Sequence, residues 1–190
     1  MSAIFPDPVT VTPTQSTTIP TIQTPESPGS VIPVSRMALL PEDLPADYIL
    51  KERADQTYLE MDPIFRDLGW KSGYFVSYYR MNREKYDITG FSQTIGLYSL
   101  NTITLVFNER KDDALQQGNA SIKIYVMPCR KMGENTFAYK IVDENLPLPI
   151  NRYTILFTQK DIYEELTMEG TTTDYETLKD FAAAATEKIH

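Results

Sequence analysis

The sequence predicts an α+β fold: a mostly antiparallel, twisted sheet with a C-terminal amphipathic helix and one further helix packed on it, preceded by a disordered Thr/Pro-rich segment. Three observations carry this. The first 35 of 190 residues hold seven Pro, seven Thr and five Ser, with only Asp7 and Glu26 charged and Phe5 the one aromatic. Beyond them, several stretches alternate apolar and polar residues with period two, the pattern of half-buried strands. The chain then closes on a segment whose apolar residues recur at helical spacing.

Residues 1–36 offer too little apolar surface to offset the entropy of ordering them, and their prolines favour extended chain, so they read as a stalk or linker. Residues 37–190 then form a single α+β domain, long enough for one self-supporting core. Its entry, residues 36–47, is a short apolar hook closed by prolines, followed by an edge strand over Tyr48–Glu52. Asp62-Pro63 opens a helical turn that ends at Gly69. Gly73–Met81 and Phe91–Leu100 are rich in aromatic and β-branched residues and pair across a polar loop.

Asn101–Gln117 fits two patterns. Ile103, Leu105 and Phe107 alternate as in a strand, whereas Ile103, Val106, Phe107 and Ala114 fit one face of a helix. The polar tail ending on Gly118 favours a helix with a glycine C-cap. Ser121–Met127 sets Ile122, Ile124 and Val126 against Lys123, Tyr125 and Met127. Thr136–Asp143 sets Phe137, Tyr139 and Ile141 against Ala138, Lys140 and Val142. Arg152–Thr158 and Ile162–Met168 form a hairpin across Gln159-Lys160-Asp161. Asp174–Ile189 is a helix opened by a capping box of Thr173 and Glu176, with Tyr175, Leu178, Ala182, Ala185 and Ile189 on one face. The order of elements predicts a sheet covered on one face.

The chain is poorly supplied for catalysis. Its one histidine, His190, is the last residue, and Cys129 is its one cysteine, so Ser-His-Asp, Cys-His, zinc and dithiol arrangements are all missing. No phosphate-binding glycine loop and no calcium loop occurs. Neighbours on a strand point to opposite faces, so Glu164 and Glu165 do not converge, and both they and Asp112-Asp113 read as solvated surface. The expectation is a protein that is not an enzyme, with no catalytic residues, no metal and no cofactor. Residues 36–190 keep 24 of the 26 acidic residues and all 18 basic ones, a net charge of −6 that argues against nucleic acid as a partner. No transmembrane segment is present in the sequence.

Tyrosine is what the chain has in quantity, with twelve. Tyr78, Tyr79, Tyr98, Tyr125, Tyr139 and Tyr163 fall on strands among polar neighbours. Of the residues on such a face, Tyr78, Tyr98, Lys123 and Tyr125 are read as a surface for a protein, peptide or glycan. Trp70 reads as a core plug and Cys129 as a small buried hydrophobe. Asn119-Ala120-Ser121 is an N-x-[ST] sequon, which makes Asn119 a glycosylation candidate. With the Thr/Ser-rich stalk it points to an extracellular or cell-surface location. The targeting or tethering segment would then lie upstream of Met1 or have been removed.

The stretches ALLPEDLPADYIL (38–50), ENTFAYKI (134–141) and YTILFTQKDIYEELTMEG (153–170), with the closing helix, resemble uncharacterised stalked surface or lipoprotein-type domains of methanogenic archaea. More distantly they resemble the α/β/α sandwich of PsbP-like and mycobacterial lipoprotein-type domains. The resemblance implies a structural kinship and carries over no ligand or active-site residue. The function expected is therefore a surface-exposed or secreted binding domain. The alternatives are a structural or assembly component of a cell-envelope complex and a hydrolase working with carboxylates alone. A concave pocket, a flat apolar patch or two converging carboxylates would tell these apart.

Overall fold

The computed structural model describes residues 33–189, apart from 83, 85, 86 and 146–149. Most of the expected stalk, and His190, lie outside the described residues. Seven strands form one sheet: β1 (Ile49–Gln56), β2 (Ser72–Asn82), β3 (Asp87–Leu97), β4 (Ile122–Val126), β5 (Asn135–Asp143), β6 (Asn151–Gln159) and β7 (Ile162–Gly170). Their order is β1-β2-β3-β7-β6-β5-β4, and every neighbouring pair is antiparallel. Two meanders thus meet at β3 and β7. Helix α1 (Pro63–Asp67) lies between β1 and β2, and α2 (Ile103–Gln116) carries the chain from β3 to the far edge at β4. Helix α3 (Tyr175–Lys188) closes the fold.

The segment with two readings is a helix. Ile103, Val106, Phe107 and Ala114 are its buried residues, while Leu105, which a strand would turn inward with Ile103 and Phe107, is 55% exposed. Its end departs from expectation: Gln117 caps in a right-handed helical conformation, its N–H bonding the Ala114 carbonyl, and Gly118 does not take a positive φ. The start of α3 shifts by one residue as well. Asp174, not Thr173, is the N-cap, and its carboxylate accepts from the backbone N–H groups of Glu176 and Thr177. A carboxylate at that point satisfies orphan amides and also opposes the positive end of the helix dipole.

The sheet is covered on both faces, not one. The hook, which contains a 3-10 turn at Val34–Met37, and α3 pack on one face around Phe91, Ile95, Ile155, Phe157 and Leu166. Helices α1 and α2 pack on the other around Tyr98, Phe137, Leu156 and Tyr163. The reason lies in β6 and β7, where adjacent positions such as Ile155–Leu156 and Ile162–Tyr163 are both apolar and both buried. A strand apolar in both phases needs a cover on both sides. Ala182 and Ala185 are fully buried and let α3 approach closely.

The connection from β4 to β5 is pinned by Gly133, whose φ is +65° and which bridges to Thr158. The next residue, Glu134, donates its N–H to the Thr158 carbonyl at 2.8 Å. A Cβ at position 133 would run into that carbonyl and would also be held at a positive φ. Gly133→Ala should therefore cost about 3 kcal/mol or more, measured by urea unfolding. A loss below about 0.5 kcal/mol would show that the loop relaxes away from β6.

Candidate functional site

The α2 face of the sheet is only partly covered. Helix α2 lies over β5, β6 and β7, and beside it the exposed part of the sheet forms an open groove of about 950 Å³. The strand registers build its floor as a row running across the sheet: Glu52, Ser77, Ser92, Thr167, Thr154 and Tyr139 are successive cross-strand partners. Cross-strand partners point to the same face, so five of these six positions present a hydroxyl to one surface. Thr154 and Thr167 share a hydrogen bond at 3.0 Å, and Tyr139 stands beside Thr154 as its cross-strand partner.

A second row flanks the first. Tyr79, Gly90, Glu169, Arg152 and Ile141 are partners in turn. Gly90 leaves a hollow between Tyr79 and Glu169. A Cβ there would meet only Glu169, at ordinary contact distances of 3.7 and 3.8 Å. The Arg152 guanidinium closes on the Glu169 carboxylate at 2.8 Å through both Nε and Nη2. Both side chains are about half exposed, so the pair shapes the wall more than it stabilises the fold.

On the other side lies a polar cluster under α2. The Tyr163 hydroxyl donates to Glu165 Oε2 at 2.9 Å, and Arg110 of α2 stacks over Phe65 at 3.7 Å and bonds the Tyr98 hydroxyl. Burial works against the Arg110 charge, but Tyr163, Glu165 and Tyr98 around it more than offset this and hold the guanidinium protonated. Burial, reinforced by the Glu165 charge, pushes the Tyr139 hydroxyl up to about 12 and raises Tyr163 well above its ordinary value. Both phenols therefore stay neutral and serve as hydrogen-bonding groups.

The four residues read as a binding surface do not come together. Tyr78 is buried on the α3 face, stacked on Phe91, with its hydroxyl donating to the Leu39 carbonyl at 2.8 Å. Tyr98 is buried on the α2 face, edge-on to Tyr163. Each has the apolar ring packed and the hydroxyl bonded, which is how a core tyrosine is accommodated. Lys123 and Tyr125 do share a face at the β4 edge, where both are exposed and Lys123 lies 3.9 Å from Glu144. Asn119 is exposed in the α2–β4 loop, its Oδ1 accepting from the N–H groups of Ser121 and Ile122. Trp70 is buried in the α2-side core and Cys129 is half-buried.

Glu164 and Glu165 point to opposite faces as expected, yet Glu164 is not solvated. It is fully buried on the α3 face, in phase with Ile162, Leu166 and Met168. The groove itself escaped the sequence reading. Its signal was a hydroxyl residue in the same phase of β2, β3, β6 and β7, opposite apolar positions. Among the described residues, no group of three or more His, Cys, Asp or Glu is placed to hold a metal ion. No described helix is long and apolar enough to cross a membrane.

No protein-family model matches the sequence, and no curated protein does. Among solved structures, the chain is similar to the crystal structure of the extracellular domain of PknH from Mycobacterium tuberculosis. The TM-score is 0.60 at 9% sequence identity, covering 81% of this chain and 93% of that one. At that identity the likeness is one of fold.

Proposed function

We propose that this is a binding domain displayed outside the cell, taking its ligand in the groove on the α2 face. The observation that carries the reading is the groove itself, a concave surface with a polar floor and aromatic and aliphatic walls. The extracellular placement is supported by the Thr/Pro/Ser-rich first 35 residues and by the fold shared with an extracellular domain of a mycobacterial protein. We read the domain as one that binds rather than catalyses. Glu164 and Glu165, the adjacent acids of β7, lie on opposite sides of the sheet and do not converge in the groove.

Gly90→Trp provides the test. The position accepts a Cβ without a clash, and an indole there would fill the hollow between Tyr79 and Glu169. The full-length variant should unfold within about 1 kcal/mol of wild type, as expected for a substitution that displaces no core atom. In NMR screening of a chemically mixed fragment library, hits on wild type should shift amides of β2, β3 and β7, and Gly90→Trp should lose them. Fragments that bind both proteins equally, or none that reach these strands, would refute the groove as a binding site.

A further inference from the structure

Resting on that reading, we infer that the groove takes a neutral carbohydrate chain lying across the strands. The floor is a run of hydroxyls, and hydroxyls both donate and accept. Thr154 and Thr167 already share a hydrogen bond, and Tyr139 is the cross-strand partner of Thr154. Each hydroxyl has one proton to give, so such a row can run in either direction and present a donor or an acceptor at its open end, next to Ser92 and Ser77. A ligand that is itself a row of hydroxyls matches this at every step. An acyl chain would leave the open end of the row, Ser92 and Ser77, without partners, at a cost for each hydroxyl it buries.

The setting agrees. Strand spacing of ~4.8 Å places Ser77 and Thr167 roughly 10 Å apart across three strands, the reach of a short sugar chain, with Thr154 and Tyr139 buried behind them. Phe75 and Tyr79 flank the row and offer rings against which sugar C–H faces can pack. Charge excludes the anionic relatives. Glu52, Asp143, Glu165 and Glu169 line the groove against Lys51 and Arg152, a net charge of −2 that repels sulfated, phosphorylated and uronic-acid chains. A peptide is disfavoured because β2, β3, β7, β6 and β5 are each paired on both sides, which leaves a backbone edge only at the rims of the groove, β1 and β4.

The experiment is an NMR and calorimetric titration of the full chain with cello-, malto-, manno-, xylo- and chitohexaose, a sulfated hexasaccharide, a basic decapeptide and a long-chain fatty acid. At least one neutral hexasaccharide should saturate, with the largest shifts at Ser92 and Thr167. Ser92→Ala and Thr167→Val should each weaken it at least fivefold, Thr167→Ser should restore it, and the sulfated sugar should bind at least tenfold more weakly. If only the peptide or the fatty acid saturates these positions, the carbohydrate assignment is wrong while the groove remains a binding site. If fragments bind the groove in wild type and no neutral hexasaccharide does so at millimolar concentration, the assignment falls on its own. Binding of the sugar that both hydroxyl deletions leave unchanged overturns it as well.

Discussion

Between about pH 5 and about pH 8.5 the wild-type protein should lose stability steadily, and Glu164→Gln should hold it nearly level over that range. Glu164 is fully buried on the α3 face, and its one hydrogen bond comes from Gln93 Nε2, at 2.9 Å on Oε2. Oε1 has no partner. Burial dominates and pushes the carboxyl up to about 8, against the smaller opposing effect of the Gln93 bond. The sign follows from proton binding. Above the ordinary glutamate value the unfolded chain releases this proton while the folded chain keeps it, so folding is favoured most at low pH. The contribution is complete below about 4.5 and is gone once pH has passed about 8. At about 1.4 kcal/mol per unit, the whole window is worth on the order of 5 kcal/mol, comparable to the total stability of many domains.

Asp43 and Asp174 shift in the opposite direction. Both are held below their ordinary value, the first by hydrogen bonds to Leu40 and Lys188 that outweigh burial and the second chiefly by the Thr177 hydroxyl. Their stabilisation is present above about pH 4 and disappears only below it, so their transition lies on the acid side of the Glu164 window. Urea midpoints at pH 5, 6.5 and 8.5 for wild type and Glu164→Gln test this. Parallel slopes in the two proteins would rule Glu164 out as the cause.

The same strand shows what the sequence could and could not disclose. In Ile162-Tyr163-Glu164-Glu165-Leu166, the period of two correctly separates the two glutamates, and phase alone places Glu164 with Ile162 and Leu166 among buried positions. Reading both acids as solvated followed residue type where phase was the better guide. Strand existence was legible throughout because aromatic and β-branched alternation is a local signal. The α2 helix was legible from four apolar positions on one face. The groove was not, because Ser77, Ser92, Thr167 and Thr154 come from strands up to 90 residues apart, and only the β3–β7 pairing brings them into one row. Register between distant strands is set by packing, which no single segment records. Tyr78 and Tyr98 were misplaced for a related reason. Polar sequence neighbours on a strand face the other way and say nothing about the side on which the ring itself lies.

A chain beginning at Ile49 should fail to fold, whereas one beginning at Pro33 should unfold as cooperatively as the full protein. The difference is the hook. It buries Val34, Met37, Leu39 and Leu44 against the α3 face, worth about 6–12 kcal/mol at ~1.5–3 kcal/mol for each side chain. The hook also satisfies two buried polar groups of the sheet. The Leu39 N–H donates to Gln93 Oε1 at 2.8 Å and the Leu39 carbonyl accepts from Tyr78. Removing it would leave both orphaned at about 1–3 kcal/mol each. At the far end, Asp43 pairs with Lys188 at 2.5 Å and so ties the hook to the last turn of α3. Together these losses match or exceed the ~5–15 kcal/mol that holds an ordinary domain folded. Circular dichroism of the shorter chain should show no cooperative melt, and a synthetic peptide of residues 33–48 added in trans should restore one. A chain from Ile49 that melts cooperatively within a few degrees of wild type would mean that the hook merely rests on the sheet. Gln93 would then have to find another partner, and the pH response of Glu164, which depends on the orientation of that amide, should change with it.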